Sequence, residues 1–276
     1  MRKILGFVVL MGVLVLSSCH EELDMTVLNK TLYENATFTE IEAEDAWNVK
    51  VVQDDQKKGV ELEYSAFLEE YLKVVNEGSK LSVGFSQRLK LPSNTVKNIT
   101  VYVQSLSSIV LEEAVSMDLQ GVFSSAAIHV DLTEASTLRG GCFNGNLELE
   151  MDEASTVVDF NAVGEVLKLE LDDASVFKGT LTAYNRLEMD VENASRVTTY
   201  SGSAPTADVH VKDAGFLNML QTSVRTMNLV VKNVSEASVN VTDRIEGLVQ
   251  DVSVVYYQGL PVIALDCDET STIAPI

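Results

Sequence analysis

From residue 106 onward, apolar and polar positions alternate with a period of two, and the alternation restarts about every twenty residues. Leu147, Leu149 and Met151 alternate with Glu148 and Glu150. Leu167, Leu169 and Leu171 alternate with Lys168 and Glu170, and Leu187, Met189 and Val191 with Glu188 and Asp190. Such runs predict strands with one dry and one wet face. Each run ends in an acid or amide followed by a small pair, as in "LDDAS" at 171–175. The first residue of that pair is Ala114, Ala135, Ala154, Ala174, Ala194, Ala214, Val234 and Val252, with spacings of 21, 19, 20, 20, 20, 20 and 18. Three residues on lies another apolar column: Leu138, Val157, Phe177, Val197, Leu217, Ala237 and Val255. Each copy therefore carries a second short strand after the corner.

Eight copies at a period near twenty predict a solenoid. Leucine-rich repeats share the period but need a longer leucine framework and often a helical back. The second half of each copy here is rich in Thr, Val, Phe and Tyr, without helical spacing. The fold expected is all-β: a single-stranded right-handed parallel β-helix of about eight coils of ~20 residues, with an N-terminal β cap. Twenty extended residues make a perimeter of roughly 66 Å, and eight coils a rod of about 38 Å.

Residues 38–105 do not show the period and are expected to cap the first coil, because an open solenoid end is an exposed sheet edge. Strands are predicted at 48–53, 60–64, 80–85 and 99–103, and one helical turn at 67–72. Trp47, within an alternating run, belongs to the cap core. Gly259 and Pro261 break the period near the end, and the last strand is expected to close the other end.

The first residues have a different character. Arg2 and Lys3 precede an apolar run, Ile4 to Leu16, and Ser17-Ser18 stand before Cys19. This is a secretory signal over 1–18, too short to span a bilayer, and it resembles the bacterial lipobox, which makes Cys19 the lipidated residue. Several acyl chains on one residue anchor stably. Acidic residues at Glu21 and Glu22 are similar to the export signal of surface lipoproteins. The reading is an outer-membrane lipoprotein exposed at the cell surface, with a tether at 19–37, a cap region at 38–105 and a β-helix with closing strands at 106–276. Residues 38–276 are read as one continuous domain. The membrane is a partner through Cys19.

Net charge is −21, or −23 once Arg2 and Lys3 are removed. A body so acidic does not bind nucleic acid through its general field. Cys142 and Cys267 have no metal-ligand spacing, and the repeat places them at opposite ends, so no disulfide is expected.

The residue before each small pair forms a column: Glu113, Glu134, Glu153, Asp173, Asn193, Asp213, Asn233 and Asp251. Neighbours would stack about 5 Å apart, and like charges that close repel. Asp and Asn favour tight turns, so the column reads first as turn capping. The alternative is a row of oxygen ligands for calcium or another cation; no other cofactor is implied. Tyr184, Tyr200, Tyr256 and Tyr257 are candidates for stacking on a glycan, against a plain role in the core. No catalytic residue is assigned. Asp172-Asp173 looks like a carboxylate pair, but adjacent strand residues face opposite sides unless a turn intervenes. His129 and His210 lie four coils apart, about 19 Å, too far to share a metal. "RLK" at 88–90 stands alone, and Arg139, Lys178, Arg186 and Arg196 are the scarce cations that would face a uronic acid.

The lipobox, the Trp47-x-Val49 strand, the Ala-Ser copies and the closing Tyr257-x-Gly259-x-Pro261 together resemble the putative auto-transporter adhesin, head GIN domain family of Bacteroidetes surface lipoproteins. The likeness runs over 38–276. Two departures are visible: acids or amides stand where that family often has Gly, and Ala214-Gly215 lacks the Ser. The resemblance implies a β-helical, surface-attached module. The function expected is a non-catalytic, adhesin-like binding module with an elongated acidic surface, its partner a glycan or a host or envelope protein. The alternatives are a polysaccharide-active enzyme of the pectinase or lyase kind, because that architecture serves such enzymes, and a structural envelope spacer.

Overall fold

A computed structural model describes residues 23–276; the stretch read as a signal, 1–18, and Cys19, read as the lipidated residue, lie outside the described residues. The repeat folds as expected into a parallel β-solenoid, with one difference inside each coil. Instead of two short strands there is one long bent strand running from corner to corner. These are β9 (Ser116–Leu132), β10 (Thr137–Met151), β11 (Thr156–Leu171), β12 (Val176–Val191), β13 (Arg196–Val211), β14 (Phe216–Val231) and β15 (Glu236–Val249). Each pairs in parallel with the next, so Leu149 lies beside Leu169, and Leu169 beside Met189. The strands need not break at the bend, because the coil-to-coil ladder continues through it. Glycine makes room there: Gly202 has φ +146°, and a Cβ on it would lie 1.8 Å from the Leu181 carbonyl oxygen.

The apolar columns meet inside as a continuous core. Phe123, Phe143, Phe160 and Phe177 form a ladder within it, with ring centroids 5.3, 5.1 and 6.2 Å apart.

The N-terminal part departs from the expectation of a repeat-free cap. Here β1 is Val27–Leu32, β2 Glu40–Ala43, β3 Asn48–Gln53, β4 Gly59–Ser65, β5 Leu72–Glu77, β6 Lys80–Phe85, β7 Lys97–Val103 and β8 Ser108–Leu111. Strands β2 and β3 form a coil of the solenoid, stacked in parallel on β8 and on the start of β9. Their corner, Asp45-Ala46, is a further copy of the repeated turn. A second coil, β6 and β7, stacks on the far side of β2 and β3. Strands β5 and β4 then pair antiparallel with its edges, and β1 pairs antiparallel with β4. The chain thus lays down the inner coil first, then the cap and outer coil, and passes back over the inner coil to begin β8. This detour separates Ala46 from Ala114 in sequence and hides the period.

Two smaller expectations are also revised. Strand β1 lies within the stretch read as tether, 19–37, held by its ladder to β4. The helical turn expected at 67–72 is a 3₁₀ turn over Ala66–Leu68, and Leu72 already begins β5.

At the other end, β16 (Val254–Gln258) and β17 (Val262–Cys267) both pair with β15, and β18 (Thr272–Pro275) pairs with β16. Gly259 and Pro261 lie between β16 and β17, where the long strand of the other coils is divided. Cys142 in β10 and Cys267 in β17 are free thiols six strand spacings apart, about 29 Å at 4.8 Å each.

Candidate functional site: the corner column and the acidic sheet face

The acid-or-amide column sits at the corners with its backbone in the left-handed region. From Glu113 to Asp251 its φ runs from 43° to 60°, and the small residue that follows runs from 61° to 65°. Two successive positive φ values make a type I′ turn. The turn closes from Ser175 N–H to the Asp172 carbonyl (3.2 Å), and likewise from Ser195 to Glu192 (2.9 Å) and Gly215 to Lys212 (3.0 Å). Asp and Asn tolerate this backbone better than other non-glycine residues, which explains their recurrence here. Glu and Ala are less suited, and the ladder holds them there. The small residue's N–H bonds to the column carbonyl of the next coil, as from Ala154 to Asp173 (2.8 Å) and Ala174 to Asn193 (2.9 Å). The series starts at Ala46, bonded to Glu113, and runs to Val234, bonded to Asp251.

The Ser that follows points inward and is buried at Ser136, Ser155, Ser175, Ser195, Ser235 and Ser253. Two of its neighbours use it as an acceptor: Ser175 N–H bonds to Ser195 Oγ at 3.1 Å, and Ser235 N–H to Ser253 Oγ at 3.3 Å. Trp47 occupies the Ser position in the coil of β2 and β3. It is fully buried, against Phe85 at 5.3 Å between centroids. A large ring fits there because the coil beyond it has no tight corner.

The column's backbone therefore carries the turn, and side-chain bonds come both from the column and from the residue one earlier. Asp152 Oδ1 accepts from Glu153 N–H (2.7 Å) and Asp172 Oδ1 from Asp173 N–H (2.8 Å). Asn193 and Asn233 each donate to a carboxylate of the coil before, Asp172 and Asp213, at 2.7 Å. Amides in the column thus separate carboxylates that would otherwise repel. A turn does intervene at Asp172-Asp173, and the two side chains converge: with Asp152, their oxygens lie within 4.8 Å of one another.

Beside the corner, the outward face of the sheet before it is acidic. Asp131, Glu150, Glu170 and Asp190 form one column, in register through the ladders. Asp152, Asp172 and Glu192 stand next to it, and together they line an open groove of about 540 Å³. Cations sit at its margins. Lys168 bridges Glu148 (3.0 Å) and Glu170 (2.8 Å), and these bonds raise its pKa. Lys212 bonds to Glu192 at 2.5 Å and lies 3.5 Å from Asp190, and its pKa is raised as well, chiefly by Glu192. The histidines belong to this face, four strand spacings apart: His129 lies 3.7 Å from Glu148, and His210 3.5 Å from Asp190.

A second groove, of about 300 Å³, lies further along the same face between Arg186 and Arg244. Arg186 pairs with Glu188 (2.8 Å) and Asp208 (3.0 Å), and Arg244 with Glu246 (2.7 Å). Arg139 pairs with Asp159 at 3.1 Å, and Arg196 lies over the Phe216 ring at 5.5 Å. Tyr184, Tyr200 and Tyr256 are exposed by 63%, 48% and 37%, whereas Tyr257 packs partly against the core. They do not form one platform: Tyr256 shares its column with Ser238, Asn218 and Thr198.

These corners and faces bear on the family. Residues 37–167 match the family described as putative auto-transporter adhesin, head GIN domain. The family likeness in the sequence is thereby borne out over residues 37–167, and beyond residue 167 the copies continue the same solenoid. Among curated proteins, none matches the chain. A crystal structure of a putative adhesin from Parabacteroides distasonis has 16% identity and a TM-score of 0.67, covering 92% of this chain and 98% of its own. A putative adhesin from Parabacteroides merdae has 13% identity and a TM-score of 0.64, covering 91% and 96%. A putative lipid binding protein from Parabacteroides distasonis has 14% identity and a TM-score of 0.65, covering 92% and 98%. At these identities the likeness is one of fold.

Three features escaped sequence reasoning. The face column of Asp131, Glu150, Glu170 and Asp190 recurs at the repeat's spacing, yet only the corner column was read as a candidate site. The Asp45-Ala46 corner was legible as a residue pair but not by its spacing. The loop 86–96, which replaces the corner in the outer coil, has no counterpart in the repeat.

Proposed function

We propose that the chain is a non-catalytic adhesin-like module, anchored at the outer surface of a cell envelope through a lipidated Cys19, that binds through the acidic face before the corner. One observation carries the reading: carboxylates from four successive coils converge on one open groove, with cations only at its margins. A rigid ladder with a repeat of about 4.8 Å suits a partner that is itself extended, a glycan or a strand-like protein segment. The family match supports the adhesin-like reading.

The polysaccharide-active alternative is favoured by the groove at Arg186 and Arg244, where arginines and carboxylates of adjacent coils meet. Its arginines are engaged in ion pairs, and it offers no separate acid and base flanking a free site. A glycan array combined with a reducing-end assay separates the readings. Binding without cleavage supports the module; release of reducing ends establishes the enzyme; neither result leaves the envelope spacer. Protease shaving of intact cells tests the outward orientation, and metabolic labelling with a fatty-acid probe, lost in Cys19→Ala, tests the anchor.

A further inference from the structure

The corner between β6 and β7 breaks the rule of the other coils. Residues 86–96 replace the two-residue turn and fold over the end of the corner column. The loop is tied at both ends: Ser86 N–H bonds to the Tyr71 carbonyl (2.8 Å), and Val96 N–H to Ser65 Oγ (3.0 Å). Beside it is an open pocket of about 410 Å³, within the range of small-molecule sites. Leu89, Leu91 and Pro92 form an apolar wall, and Leu89 and Leu91 also pack on the core.

We propose that this pocket binds a small aliphatic carboxylate, its head group held by Lys97 and Arg88 and its tail covered by Leu89, Leu91 and Pro92.

The polar groups favour an anion. Lys97 Nζ donates to the Ala46 carbonyl, which uses one of its three N–H groups. Burial pushes its pKa down, with Asp45 opposing, so an incoming carboxylate would relieve a poorly solvated ammonium. The Thr95 hydroxyl, also on the wall, is buried without a partner. The two acids of the pocket have donors but also face each other, and burial first, then Asp45, raises the Glu113 pKa and so disfavours its charged form. Asp45 Oδ2 accepts from Phe85 N–H at 2.7 Å, and Glu113 pairs with Arg88 at 3.4 Å. Arg88 is 86% exposed and holds Glu113 by one long contact, which leaves its other N–H groups for a ligand. The overall negative charge opposes anions little at long range, since it is screened beyond about 8 Å in physiological salt.

The test is calorimetric titration of residues 19–276 with octanoate, octanol, octylamine and acetate. Octanoate is expected to bind at least tenfold more tightly than octanol, which lacks the charge, and than acetate, which lacks the tail. Arg88→Ala and Lys97→Met are each expected to weaken octanoate fivefold or more. Arg88→Ala removes an exposed side chain and keeps the fold, so it decides alone if Lys97→Met does not fold. Octylamine binding more tightly than octanoate, octanol matching octanoate, or an unchanged Kd in Arg88→Ala would overturn the assignment. N-acetyl-leucine in place of octanoate shows whether the carboxylate can come from a peptide end; the binding of either supports the site.

Discussion

Gly202→Ala is expected to be among the most damaging single-methyl additions in the solenoid. Gly202 lies in β13 in register with Leu181 of β12, at φ +146°. That region is essentially glycine-only, at a cost of about 1–3 kcal/mol for other residues. The new Cβ would also meet the Leu181 carbonyl oxygen at 1.8 Å. That oxygen is backbone, pinned by ladders on both sides, so the coils must part by roughly an ångström. Each ladder bond lost costs about 1 kcal/mol. Against this, alanine restricts the unfolded chain, a gain of about 0.4–1 kcal/mol. The net expectation is a loss of about 2–4 kcal/mol, read from the urea midpoint with the slope checked for separate melting of coils. Gly78→Ala is the matched control. Gly78 also has positive φ, +78°, but its Cβ would meet nothing within 4 Å. Its left-handed strain of about 1 kcal/mol is nearly offset by the unfolded-state gain. If Gly202→Ala costs less than about 1 kcal/mol, or no more than Gly78→Ala, the account of the bend is wrong.

Three further outcomes are expected. Asp173→Asn should be near neutral, since Asn193 and Asn233 already hold that position, whereas Asp173→Val should cost about 1–2 kcal/mol for a β-branched residue in the left-handed region; a urea series on both variants checks it. The Asp251 N–H first, and then the Ser271 hydroxyl, pull the Asp268 carboxyl down to about 2. A depressed carboxyl contributes stability above its unfolded value near 3.9 and loses it as pH falls through about 2, so the gap between wild type and Asp268→Asn should close over that window; an NMR titration showing Asp268 near 4 would refute this. If the corner column serves only the turn, millimolar calcium should leave the melting midpoint unmoved relative to chelator, and a rise would instead point to cations among Asp152, Asp172 and Asp173.

Much of this architecture was legible because two signals in the sequence coincide. The alternation of Leu167, Leu169 and Leu171 with polar neighbours names the buried face, and the twenty-residue return of acid-Ala-Ser names the corner. Neither signal depends on a distant part of the chain. The inner coil of β2 and β3 was not legible, although Asp45-Ala46 writes the same corner, because a cap and an outer coil are inserted before the next copy. Trp47 in the Ser position obscured it further, and its place there follows from the loop 86–96 two layers away from the regular repeat. The acidic groove was only half legible. Each carboxylate column is visible as a spacing, but the convergence of Asp172 and Asp173 required the type I′ turn.

The sequence by itself determined what is local and repeated: the period, the inward face, the corner residues and the charge. These follow from side-chain alternation and backbone preference, which act over a few residues and recur in every coil. The tertiary structure decided what depends on stacking order. It placed the first coil between the outer coil and β8, joined successive corners into one ladder of hydrogen bonds, and set the loop 86–96 beside an open pocket at Lys97. Parallel stacking is set by which coil buries which edge, and a chain that doubles back over its own first coil leaves no periodic trace of that choice.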